Sequence, residues 1–127
     1  MKRHTAKWLT KAEEDIDSAT ALARLKPPRR NAASFHCQQA AEKYFKALLQ
    51  ELGAPVPRTH DMEDLLDLLL PHDATLAPLR RSVAGLTKYA VEYRYPGIRA
   101  TTRQMQSTLR IAQRVRREIR ARLGLPT

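Results

Sequence analysis

Apolar residues recur along this chain at steps of three and four, the period of a helix turning one face to a core, and no stretch alternates at the step of two that a strand needs. A first helix is expected from about Ala6 to Leu25, with Trp8, Ala12, Ile16, Ala19 and Leu22 or Ala23 on one stripe. Lys26-Pro27-Pro28 ends it. A second begins near Asn31 and carries Ala33, Cys37, Ala40, Ala41, Tyr44, Ala47, Leu48 and Leu52, closed by Gly53 and the loop Ala54-Pro55-Val56-Pro57. A shorter third helix starts at Thr59 or Asp61, either of which can cap it, and supplies Met62, Leu65, Leu66, Leu68 and Leu69.

After Pro71-His72-Asp73, the positions Leu76, Leu79, Val83, Leu86 and Ala90 predict a fourth helix, broken by Pro96-Gly97. The last, from about Ile98 to Leu123, pairs a seam of Met105, Leu109, Ala112, Val115 and Ile119 with an arginine-covered outer face. Together these predict an all-α, up-and-down antiparallel bundle of four to five helices, one domain over residues 1–127, organised around the central helix Phe35 to Leu52.

Charge sharpens the picture. The net charge is +10, and from Gly97 to the end eight arginines face the single acid Glu118, so +7 of it sits in the last quarter. Such an excess attracts polyanions and is not needed for folding. Arg110, Arg114 and Arg117 share a face at steps of four and three, fit either for a nucleic-acid backbone or for an acidic protein partner. No window is apolar enough for a membrane span, so a cytoplasmic protein is expected. The lone Cys37, inside an apolar run, reads as a buried inert thiol.

The central helix also carries His36, Gln38, Gln39, Glu42, Lys43 and Lys46, with Gln38–Glu42 and Gln39–Lys43 each one turn apart. These form either a solvated face or an interface that fixes a partner's register. The run FHCQQAAEKYFKALL, the turn Thr59-His60-Asp61 and the segment YAVEYRYPG from Tyr89 to Gly97 resemble, in that order, the HEPN domain family, specifically its small stand-alone prokaryotic members. The resemblance spans about Trp8 to Leu123. It implies a helical bundle, frequent homodimers, and association with a minimal nucleotidyltransferase-type protein in toxin–antitoxin-like pairs.

Many members of that family are metal-independent ribonucleases in which four to six residues separate an arginine from a histidine, with a polar residue just after the arginine. Histidine exchanges protons near neutral pH while arginine stabilises phosphate charge, so the pair suits RNA cleavage. Here Arg30 and His36 match that spacing, but the family pair belongs after the position of Tyr93-Arg94-Tyr95-Pro96, and no histidine follows Arg94. The leading reading is therefore a nucleotide- or RNA-binding module using Arg94, Tyr95, Arg99, Arg103, Arg110, Arg114 and Arg117. Gln38, Gln39, Glu42, Lys43, Tyr89 and Tyr93 serve it as scaffold or interface.

The alternatives are a ribonuclease using Arg30 and His36, or Arg94 with another base, and a purely structural dimerisation adaptor. His4, His36, His60 and His72 are scattered without metal-ligand spacing, and there is no glycine-rich phosphate loop. Neither a metal nor a cofactor is expected.

Overall fold

A computed structural model describes residues 1–127 and places five α-helices in one bundle: α1 Arg3–Arg24, α2 Arg30–Glu51, α3 Met62–Leu69, α4 Arg80–Ala84 and α5 Thr102–Arg122. No strand is present. The central position of α2 follows from its composition. Small and apolar residues occupy nearly its whole circumference, and thirteen of its residues are buried, from Ala33 to Leu49. Alanines at 33, 40, 41 and 47 let neighbouring helices approach closely, while Tyr44, Phe45 and Leu49 fill the space between them.

Helix α1 runs antiparallel to α2, as the short link between them dictates: Arg29 N–H reaches Leu22 O near the turn, and Glu51 at the far end accepts from Thr5 Oγ1 at 2.9 Å. The pair α2 and α5 differs from a simple up-and-down arrangement. Asn31 meets Ala100, Ser34 meets Thr108, and Tyr44 sits near Arg116 and Arg120, so the two helices run in the same direction. The long connection through residues 52–101 carries the chain back to the start of α2, which makes a parallel neighbour possible.

That connection contains the clearest departure from the sequence pattern. The fourth helix, expected from Leu76 to Ala90, is broken into a 3-10 segment Ala74–Leu79, the short α4, and two further 3-10 turns, Thr87–Ala90 and Glu92–Arg94. Pro78 lacks an N–H and Gly85 interrupts the run, so the chain tightens locally instead of winding one long helix. The apolar spacing nevertheless holds, since Leu76, Leu79, Val83, Leu86 and Ala90 are all buried.

Helix α5 also starts later than expected, at Thr102 and not near Ile98. Thr101 Oγ1 accepts from Gln104 N while Gln104 Oε1 accepts from Thr101 N, a reciprocal cap that fixes the first turn. Its seam is as predicted: Met105, Ala112, Val115 and Ile119 are buried, with Leu109 half-buried beside them. No helix is long and apolar enough to cross a membrane.

Candidate nucleic-acid interface

The start of α2 and the loop before α5 meet at one end of the bundle, joined by a single side chain. Asn31 Oδ1 accepts from Ala100 N at 2.7 Å, and its Nδ2 donates to Ile98 O at 2.7 Å and Tyr93 O at 3.2 Å. Gly97, at φ +87°, turns the chain where a side chain would be strained. The result is a loop of fixed shape carrying Arg94, Tyr95 and Arg99.

An open groove of about 670 Å³ lies beside it, lined by Pro27, Pro28, Arg29, Arg30, Asn31, Ala32 and Arg99. Three arginines thus face one groove, and none of them forms an ion pair within the chain. Arg94 extends the basic surface, with its guanidinium carbon 5.9 Å from the centre of the Phe35 ring. Tyr95 next to it is 62% exposed, and Val91, Arg94 and Tyr95 line a smaller recess of about 300 Å³. An exposed ring beside unpaired arginines can stack a base while the cations hold phosphates.

Arg30 and His36 are not brought together. Arg30 lines the groove, whereas His36, six positions on and about 120° round the helix, turns to α1. There its Nδ1 lies 2.8 Å from Asp15 Oδ1, while Lys43 Nζ reaches the other oxygen of the same carboxylate at 2.5 Å. Asp15 is itself buried. A carboxylate holding one imidazole nitrogen in this way leaves Nε2 free to exchange a proton. His36 and Arg94 also share Phe35 as a neighbour, since the His36 and Phe35 ring centres are 5.6 Å apart.

The polar set of the central helix divides between surface and interior. Gln39 and Lys43 stay half-exposed, but Gln38 is fully buried and Glu42 only 3% exposed, so these two belong to the inside of the bundle. Glu42 accepts from Gln38 Nε2 at 3.1 Å and Lys46 Nζ at 3.0 Å, and pairs with His60 Nδ1 at 2.8 Å. Lys46, 5% exposed, also lies over the Trp8 ring, which covers its other side. Tyr89 and Tyr93 stack at 4.5 Å between ring centres, with Tyr89 buried and the Tyr93 hydroxyl accepting from Gln104. Burial and the neighbouring Tyr93 push the Tyr89 phenol up to about 12.

The arginines of α5 fall into two groups. Arg116 and Arg120 pair with Glu13 of α1, and Arg122 pairs with Asp73 and Glu118, so these three hold the fold together. Arg103, Arg110 and Arg117 are exposed and Arg114 half-exposed, all four without acidic partners; only Arg99 joins the groove. Cys37 is buried and its thiol is pushed up to about 11, chiefly by desolvation, far from the range of a nucleophile. No group of three or more His, Cys, Asp or Glu side chains is placed so that it could hold a metal ion.

Asp15, Arg29, Asn31 and Phe35 were not singled out from the sequence. Two of them have a signal there: Asp15 borders the buried stripe of α1, and Asn31 follows a Pro-Pro-Arg-Arg turn at a helix start. A family model described as the HEPN domain matches residues 5–122, nearly the whole chain. The chain belongs to the HEPN domain family. A crystal structure described as an archaeal HEPN homologue superposes with a TM-score of 0.75 at 26% identity, covering 96% of this chain and 98% of that one. No curated protein matches the chain.

Proposed function

We propose that this HEPN protein binds RNA or a nucleotide through the groove at the start of α2, with Arg29, Arg30 and Arg99 on the phosphates and Arg94 and Tyr95 at its edge. The carrying observation is the contrast among its arginines: Arg116, Arg120 and Arg122 of α5 have acidic partners, whereas one groove gathers Arg29, Arg30 and Arg99 with none. An unpaired guanidinium cluster is where a phosphate gains most. Binding of a labelled single-stranded RNA at low salt, followed by anisotropy, tests it. Arg29→Gln/Arg99→Gln should weaken binding about tenfold, for two lost phosphate contacts; unchanged affinity would remove the groove from consideration.

Homodimerisation, and action with a nucleotidyltransferase-type partner in a toxin–antitoxin-like pair, belong to the same proposal. Family resemblance supports them, and for the dimer so does the cluster of Val91, Tyr95 and Ile98, three large exposed apolar side chains on one short loop. Light scattering tests the dimer: a strict monomer at high concentration would exclude it. Co-purification from cells expressing the adjacent reading frame tests the partner.

One observation favours a second reading, metal-independent RNA cleavage. A phosphodiester laid across Phe35 would lie near both Arg94 and the Asp15-held His36, an arginine and a base that share one aromatic neighbour without the sequence spacing. Purified protein should then cut RNA in the presence of a chelator. His36→Ala should abolish the cutting, and unaffected cutting would dismiss His36.

A further inference from the structure

Along the outward face of α5, Arg110, Arg114 and Arg117 stand at steps of four and three, bordering Leu109 and Gln113 around a shallow cleft of about 420 Å³. No acid lines it, and none of the three arginines is ion-paired; Glu118, the one acid nearby in sequence, is held by Arg122. Leu109 packs against the core with one side and presents the other among the arginine stems. We propose that this face docks an acidic amphipathic helix of a partner protein. The partner would set carboxylates at the same steps of four and three, with an apolar residue over Leu109.

The choice of a helix over a nucleic acid rests on what the face offers. Its three cations lie in line along roughly 10 Å of straight helix, so a second helix crossing at a shallow angle can meet them one for one. It has an apolar side chain, Leu109, beside the line of cations, which a carboxylate-bearing amphipathic helix uses and a phosphate backbone does not. It has no aromatic side chain to stack on a base, unlike the loop that carries Tyr95. The arginines that this face needs are separate from those of the groove, and the inference does not depend on RNA binding there.

A fluorescent synthetic helix of about 20 residues, long enough to form in water, with glutamates at steps of four and three beside a leucine stripe, tests this by anisotropy at near-physiological salt. The full chain should bind it. Arg110→Gln/Arg114→Gln/Arg117→Gln should lose affinity about tenfold for three exposed pairs, while the corresponding Arg→Lys variant, which keeps the charges, should retain most of it. Arg29→Gln/Arg99→Gln should bind the peptide as the wild type does. No binding, equal binding of a scrambled peptide of the same composition, or peptide binding unchanged in the Arg→Gln variant would each overturn the proposal. So would a loss of RNA affinity in that variant with peptide affinity intact.

Discussion

Asn31 accepts a hydrogen bond from the backbone N–H of Ala100 at 2.7 Å, across 69 residues of sequence, and thereby ties the loop before α5 to the first turn of α2. Its amide nitrogen secures two carbonyls of the same loop, Tyr93 O and Ile98 O. Replacing Asn31 with Ala removes all three bonds and leaves Ala100 N, which is almost wholly buried, without a partner. The expected cost is about 2–3 kcal/mol, one unsatisfied buried donor plus the lost bonds. Urea denaturation should show it, and RNA affinity should fall with it because Arg94 and Arg99 lose their fixed frame. A stability equal to wild type would mean that the loop is held by something else.

Glu42 and Lys46 form an ion pair inside the bundle, so the two single substitutions and the double one should differ in kind. Glu42→Leu strands the Lys46 ammonium and should cost about 3–5 kcal/mol, whereas Glu42→Leu/Lys46→Met should recover most of that loss. A double-mutant cycle by chemical denaturation checks it. Additive losses would show that the charges act independently, against the geometry seen here.

Asp73 supplies an acid dependence with a definite sign. The hydrogen bond from the Thr75 hydroxyl, and then that from Arg122, hold its carboxyl below the usual aspartate range. A depressed folded value means that the contribution is present above the unfolded value of about 3.9 and is lost as pH falls through the lower folded one. Glu51 behaves in the same direction through Lys2 N and Thr5. Thermal unfolding from pH 5 downward should therefore show a smaller drop in Tm for Asp73→Asn than for the wild type. Parallel curves would mean that Asp73 titrates alike in both states.

Much of the fold was legible from periodicity because core positions recur at helical steps whatever happens to the local backbone. The segment from Leu76 to Ala90 shows the limit: its apolar residues are buried as the spacing requires, yet Pro78 and Gly85 divide the helix that the same spacing predicts. The start of α5 was readable from Thr101-x-x-Gln104, whose reciprocal cap outweighs the continuity suggested by Ile98. The site was less legible, because its parts come from distant positions. Arg30 and Arg99 meet only through the parallel packing of α5 on α2, and Asp15 reaches His36 from another helix. Gln38 and Glu42 illustrate the converse: a polar pair one turn apart looks the same in sequence whether it faces water or, as here, is buried with Lys46 and met from outside by the exposed His60.

The salt dependence of RNA binding addresses the central claim most directly, since each phosphate contact on a single strand contributes about 0.7 to the slope of log affinity against log salt. For the wild type a slope of roughly −2 is expected from Arg29, Arg30 and Arg99 together. Arg99→Gln should make it shallower by about 0.7 and lower the affinity at every salt concentration. An unchanged slope in Arg99→Gln, with the loss appearing instead in Arg110→Gln/Arg114→Gln/Arg117→Gln, would contradict the groove as the nucleic-acid site.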